Sequence, residues 1–499
     1  MRTTKSASAL TAISWVVPIV AFASILLVDA VTSRPDGFLS QLFKDLEHLC
    51  WDSQQQWMLY ACLMMYFVIL LVQVNRDGKP RFSSLNNPHL WLAVTMAIGS
   101  IAYGLQYSEA ARPPQALVFL FGPVLGLGAL AATRLWRERQ RSLCPLLCSL
   151  TGILFICSVW KRDSGFKSNY LGQQRWSGPW NNPNLFGLLV GVGLVLLLGI
   201  GFSFVGHCKP QGAKTESTQR TKLRSWTLIL LWLGMAVVMS LASLRSYSRG
   251  AWVATGCVLT FLIGSWLWRL GSGGETSKAE SGKRKAETLC SLWFKNNWLS
   301  VGIILFSVVA LSFWHFRQTE WHPARRALSA VNTVDFSWRN RIVAWEGALQ
   351  MMADRPLLGF AWNQPEPLYE HYYLPPKSTE SAAIQMNDYL MLGATLGIPA
   401  LFCFGMYLWL SLTGKAESRK QKAEIESQDL KSDLWPPASD FLSATCRAGA
   451  IVLLVGFWFD GGLFELPTAS TFWTLLELGR ADLVQQKATE ETKMHPIVA

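Results

Sequence analysis

Two arginines interrupt a long apolar region near the middle of the chain. Arg245 and Arg249 stand in "SLRSYSRGAW", residues 243–252, between the apolar runs "WTLILLWLGMAVVMSLA" and "AWVATGCVLTFLIGSWLW". A guanidinium at the end of a membrane span is costly unless it reaches water or binds an anion, and its planar fork of donors matches a phosphate group. The spacing therefore predicts either arginines that reach lipid headgroups or an anion site at a membrane boundary.

A third arginine, Arg341, lies in the long polar segment 315–387. Apolar residues recur there with a helical period, Arg341 stands one turn before Trp345, and Pro356 and Gly359 end the helix. The segment contains seven basic and seven acidic residues, so its arginines do not form a diffuse basic surface. We expect Arg245, Arg249 and Arg341, with Arg339 beside them, to bind a membrane-embedded diphosphate.

Elements that cross a membrane must position these arginines. The chain has 499 residues, of which 51% are hydrophobic and 24 are tryptophan, and its apolar runs match the thickness of a bilayer. We predict an all-α polytopic membrane protein with about twelve transmembrane helices and one large periplasmic loop. The spans are expected near residues 11–30, 56–74, 89–107, 115–133, 143–160, 185–206, 226–244, 250–268, 297–314, 388–412, 442–462 and 468–479.

The positive charge is arranged by loop. The net charge is +12, and basic segments such as "RLWRERQR" at 134–141 and "SKAESGKRKAE" at 278–287 follow the even-numbered spans. By the positive-inside rule these segments and both termini face the cytoplasm, which places 315–387 outside. The basicity therefore reflects topology and does not indicate a nucleic-acid partner. Of the ten cysteines, Cys50 alone falls in a predicted outer loop, so no disulfide framework is expected.

Four motifs in order resemble a known family. "NNPNLFG" at 181–187, "SYSRGAWVA" at 246–254, "RIVAWEGALQMMADRPLLGFAW" at 341–362 and "NDYLMLGATLGIPALF" at 387–402 are similar to the membrane domain of bacterial O-antigen ligases, O-antigen polymerases and O-linked oligosaccharyltransferases. The resemblance covers about residues 175–480 and includes the loop 315–387. Residues 1–174 match it in hydropathy alone, with about five spans, and 481–499 are expected to be a cytoplasmic tail.

The resemblance implies a polyprenyl-diphosphate-dependent glycosyltransferase in the bacterial inner membrane. Such an enzyme transfers a glycan from its lipid carrier to an acceptor, such as the lipid A core, at the periplasmic face, and it needs no cofactor and no metal. Arg249 and Arg341 correspond to the arginines that hold the carrier diphosphate, which is the leaving group. Ligase and polymerase activities remain open at this point, as does a non-catalytic lipid-linked glycan binder or transporter.

The chain departs from the family at the position of the base. The family usually has a histidine immediately before the asparagine of "NDYL", and here that position is Met386, whose thioether cannot accept a proton. We expect a nearby residue of the outer loop to serve, with His371 first and Glu380 second. Glu370 and Asp388 are further candidates on the same side of the membrane.

Overall fold

Every regular element in the described part of the chain is helical, as predicted. The structure, a computed structural model, describes residues 87–104, 114–134, 139–160, 174–180, 182–207, 218–272, 336–362, 368–374, 387–413 and 438–480. The α-helices in these ranges are α1 Pro88–Gly104, α2 Pro114–Arg134, α3 Arg139–Val159, α4 Pro183–His207, α5 Thr218–Arg245, α6 Arg249–Ser272, α7 Phe336–Asp354, α8 Asp388–Leu396, α9 Ile398–Thr413, α10 Ala438–Phe459 and α11 Leu466–Arg480. Residues Tyr369–Tyr373 form a single π-helical turn.

The helices coincide with the predicted spans wherever the chain is described. Two of them contain segments long and apolar enough to cross a membrane, Pro183–Gly201 in α4 and Leu442–Phe459 in α10. Six further described helices contain shorter apolar segments of 10–17 residues. The spans expected near 11–30, 56–74 and 297–314 lie outside the described residues, so the count of twelve stays a prediction.

One predicted span, 388–412, is divided into two helices. Gly397 ends α8 with a φ of 86°, and its N–H bonds the carbonyl of Gly393. The turn that follows α7 fills the break, since Ile398 N–H donates to Pro356 O at 2.8 Å and Phe360 N–H donates to Ala394 O at 2.9 Å. A side chain at Gly397 would overlap the backbone of Leu357. The loop after α7 is therefore attached to α8 and α9 through a junction that needs glycine.

Helix α4 is the centre of the described bundle. It packs against α3, α5, α6 and α10, while α10 also contacts α6 and α11, and α11 contacts α2. Its sequence is apolar on every face, as expected for a helix surrounded by others. Close approach depends on small residues, because a Cβ atom at Gly191 would overlap Thr255 of α6 and one at Gly456 would overlap Leu188 of α4. These contacts fix the relative positions of α4, α6 and α10.

A buried polar cluster joins three helices at one end of the bundle. Glu477 of α11 accepts hydrogen bonds from Tyr407 Oη of α9 at 2.6 Å and from Arg480 Nη1 at 2.9 Å and 3.0 Å. His89 Nε2 of α1 lies 3.6 Å from Glu477 Oε2. The start of α11, at Leu466, is about 17 Å from Glu477 at a rise of 1.5 Å per residue. The predicted functional residues lie near that other end.

Candidate functional site

The turn between α5 and α6 is short and rigid. Helix α5 ends at Arg245 and α6 begins at Arg249, with Ser246, Tyr247 and Ser248 between them. Ser248 caps α6, since its Oγ accepts from Ala251 N–H at 3.2 Å. Tyr247 has a φ of 51°, an uncommon value for a residue other than glycine. Arg249 is thereby the first residue of a helix, 8% exposed, at a position where the helix dipole favours anions.

Another arginine supports this turn from the segment before α4. Arg175 Nε donates to Ser246 O at 2.8 Å, and Arg175 Nη2 donates to Asn184 Oδ1 at 2.5 Å. Trp176 N–H donates to Arg245 O at 3.0 Å. Arg175 therefore links the motif "NNPNLFG" to the turn. The sequence offered no signal for Arg175, which stands outside both motifs.

Arg341 of α7 reaches the same place through an acidic residue. Its Nη2 donates to Asp460 Oδ1 at 3.2 Å, and the two side chains are 9% and 3% exposed. The other carboxylate oxygen, Asp460 Oδ2, accepts a hydrogen bond from Ser248 Oγ at 2.5 Å. A Cβ atom at Gly250 would overlap Asp460 Oδ2, so the start of α6 lies directly against the carboxylate. Asp460 thus links the turn that carries Arg249 to the helix that carries Arg341.

Arginines outnumber acids among the described residues that are buried or half-buried at this end of the bundle. Arg175, Arg249 and Arg341 are buried and Arg245 is half-buried, whereas the described acids buried or half-buried beside them are Asp388 and Asp460. Both oxygens of Asp460 are engaged, which suits it to orient a guanidinium and not to remove a proton. An arrangement of this kind can hold a polyanion at the end of a span.

The fourth motif joins the same end through α8. Asn387 caps α8, with Oδ1 accepting from the N–H groups of Tyr389 and Leu390 at 3.1 Å each. Asp388 Oδ2 accepts from Leu463 N–H at 2.6 Å, in the loop that follows Asp460. This bond gives Asp388 a structural role. Asn387 is 1% exposed, and its Nδ2 has no hydrogen-bond partner among the described residues.

Of the two first-choice bases, the structure describes His371. His371 is exposed on the π-helical turn, where its ring meets that of Tyr372 edge-on at 4.5 Å. The turn packs on α7 through Tyr369, whose ring lies against Gly347. Glu380 and Met386 lie outside the described residues, and Arg339 and Glu370 are exposed. The roles of His371, Glu380 and Arg339 stay predictions.

Asp460 is the residue that sequence reasoning missed. It directly follows the apolar run that ends in "VGFWF", and Gly461 and Gly462 come next with φ values of 74° and 130°. A carboxylate at the end of a span, followed by two glycines, was the available signal. Its meaning depends on Arg341, which is 119 residues away.

The middle of the chain is similar to a known protein family. Residues 234–405 match the family model described as O-antigen ligase, so the predicted resemblance is confirmed there. The match contains the turn with Arg245 and Arg249, the helix with Arg341, and the cap Asn387. Asp460 lies beyond it. No curated protein matches the chain.

Proposed function

We propose, on the premise that residues 234–405 form an O-antigen ligase domain of a bacterial envelope membrane protein, that the chain transfers a glycan from a polyprenyl diphosphate carrier. The acceptor is a hydroxyl group of the lipid A core or a similar glycolipid, and the reaction takes place at the periplasmic face of the inner membrane. The family performs glycan transfer of the ligase and polymerase type. The donor, the acceptor and the location are our proposal.

The link between Arg341 and the α5–α6 turn through Asp460 carries this proposal. Arg249 and Arg341 are distant in the sequence, and a shared partner is needed to bring them into one site. Asp460 is that partner, with contacts of 3.2 Å to Arg341 and 2.5 Å to Ser248. The site lies where the apolar segment Leu442–Phe459 ends. In the proposed topology the headgroup of a lipid carrier lies at this boundary.

In the proposed reaction the acceptor oxygen attacks the anomeric carbon of the first sugar of the donor. A carbon–oxygen bond forms there while the bond from that carbon to the diphosphate oxygen breaks, and the diphosphate leaves with the electron pair. Arg249 and Arg341 neutralise the charge that develops on the departing oxygen. Donors placed in this way lower a barrier by about 3–4 kcal/mol each. The proton of the acceptor hydroxyl passes to a base, for which His371 is the first candidate and Glu380 the second.

A second candidate function follows from Met386. A chain that keeps the arginines and has methionine at the family's histidine position could bind lipid-linked glycans without transferring them. Such a binder would depend on the same arginines but would form no product.

A deletion strain tests the proposal. Loss of a ligase leaves the polymer on its carrier and the lipid A core bare, whereas loss of a polymerase leaves single repeat units. Complementation with Arg341→Ala should fail, and complementation with Arg355→Ala should succeed, because Arg355 is exposed and its guanidinium lies over Phe360 at 4.7 Å. An unchanged surface glycan in the deletion strain would contradict glycan transfer.

A further inference from the structure

Three aromatic residues form a row beside the ion pair of Arg341 and Asp460. Trp345 follows Arg341 by one helical turn on α7, and Trp458 precedes Asp460 by two residues on α10. The centroids of Trp345 and Trp458 lie 5.6 Å apart. Tyr389 of α8 continues the row, with its centroid 5.9 Å from that of Trp458. The row therefore begins next to the proposed diphosphate site and unites three of the helices that meet there.

The row lies on the membrane side of the ion pair. Asp460 comes directly after the apolar segment Leu442–Phe459, whereas Trp458 belongs to that segment. Tyr389 Oη donates to Leu454 O at 2.7 Å, and Leu454 lies six residues before Asp460. At 1.5 Å per residue this contact is about 9 Å deeper than the carboxylate. Along α10, the charged residue Asp460 therefore lies at the end of the apolar segment, and the rings of Trp458 and Tyr389 lie beside the segment itself.

We infer, resting on the proposed function, that Trp345, Trp458 and Tyr389 bind the first isoprenoid units of the polyprenyl chain. A diphosphate held at Arg341 directs its glycan toward water and its hydrocarbon chain into the bilayer, and the aromatic row starts where that chain starts. Trp458 is 40% exposed and Trp345 is half-buried, so ring surface is left for a ligand. Contact with isoprenoid carbon would bury this surface, and aromatic side chains gain much from such burial.

The alternative occupant of this surface is bulk phospholipid, since tryptophan is common at membrane interfaces. A matched control is available in Trp409 of α9, which is 64% exposed. Trp409 lies about 16 Å along α9 from Ile398, the residue of α9 that bonds the turn after α7, at a rise of 1.5 Å per residue. A role limited to membrane anchoring would affect Trp409 and Trp458 alike.

The test is binding to the full chain in lipid nanodiscs, with undecaprenyl diphosphate and inorganic diphosphate as probes. Trp458→Ala should weaken binding of undecaprenyl diphosphate about tenfold, the equivalent of one lost apolar contact, and leave inorganic diphosphate within about twofold. Trp409→Ala should change neither affinity. Arg341→Ala should weaken binding of both probes, because it removes the headgroup contact.

Failure of the isoprenoid site and failure of the proposed function give different results in this test. Full affinity of Trp458→Ala for undecaprenyl diphosphate, together with weakened binding by Arg341→Ala, would overturn the isoprenoid site and leave the proposed function standing. Full affinity of Arg341→Ala for both probes would overturn the proposed function. If Trp458→Ala does not fold, a photoreactive benzoylphenylalanine at position 458 replaces it in the test. Capture of undecaprenyl diphosphate there and not at position 409 supports the inference, and capture of phospholipid alone at both positions overturns it.

Discussion

The guanidinium of Arg341 and the carboxylate of Asp460 form an ion pair at 3.2 Å across 119 residues of chain. The same carboxylate accepts a hydrogen bond from Ser248, the residue before Arg249. Asp460 therefore fixes the position of Arg249 relative to Arg341, the two arginines proposed to bind the diphosphate. The predictions that follow test this arrangement and the chemistry proposed for it.

Removal of Asp460 should destabilise the protein. Asp460→Ala leaves the guanidinium of Arg341 buried without its anion, and breaking a buried pair in this way costs about 3–5 kcal/mol. Asp460→Asn should cost less, because its side-chain oxygen can still accept from Ser248 Oγ. The free energy of unfolding in detergent measures both. Glu346→Gln is the control, since Glu346 is exposed, and it should change stability by less than about 0.5 kcal/mol. Equal stability of Asp460→Ala and the wild type would contradict the pairing.

Glycine at the second position of α6 should be necessary for the site. Gly250→Ala places a methyl group on Asp460 Oδ2, so the carboxylate must move away from Ser248 and Arg341. We expect loss of transfer with the chain still inserted in the membrane. Gly256→Ala on the same helix meets open space and should be neutral or stabilising by at most about 1 kcal/mol. Complementation and protein level measure both variants, and full activity of Gly250→Ala would show that the close approach does not matter.

Lysine should replace the arginines only in part. Arg249→Lys and Arg341→Lys keep a positive charge at each position, and at Arg341 this charge preserves the partner of Asp460, so the protein level should stay near that of the wild type. The bidentate fork is lost, so transfer should decrease, though by less than the roughly 10²- to 10³-fold expected when one stabilising donor is removed entirely. The measurement is the rate of glycan transfer with purified protein. Wild-type rates in both variants would indicate that these side chains act as simple charges at the membrane surface.

The base is predicted in the outer loop. His371→Ala should lower the transfer rate by roughly 10² to 10⁴, the usual contribution of acid–base catalysis. Glu346→Gln, at an exposed position of α7, is the control and should retain the wild-type rate. An unchanged rate in His371→Ala would remove this residue from the mechanism. Increased activity of Met386→His would show that the family position still faces the acceptor.

The predicted topology can be tested in whole cells. Because basic residues alternate from loop to loop, Ser378→Cys should react with a membrane-impermeant maleimide and Ser281→Cys should not. Both substitutions belong in a background without the ten native cysteines. The reverse pattern of labelling would place the loop 315–387 in the cytoplasm and contradict the proposed location of the site.

The helices and the signatures of the site are readable in the sequence. The apolar run 250–268 became α6, Arg249–Ser272, and the period of apolar residues after Arg341 became α7, which ends at Asp354 before Pro356. The motifs at 246–254, 341–362 and 387–402 lie within residues 234–405, which match the family model described as O-antigen ligase. These features are local, since a helix depends on its own apolar period and on where proline and glycine stop it.

The pairing of distant residues could not be read from the sequence. Nothing in the sequence around Asp460 indicated that Arg341 was its partner. Nothing around Gly397 indicated that the turn after α7 would pack into the break between α8 and α9. Both outcomes depend on which helix ends meet. That is set by close packing between α4, α6 and α10, where Gly191 and Gly456 leave room for a neighbour's side chain. The sequence shows how much apolar surface each helix has to bury, but it does not show which helix will cover that surface. The free energy of burial depends on the apolar area removed from water and does not depend on how far apart the two helices are in the sequence.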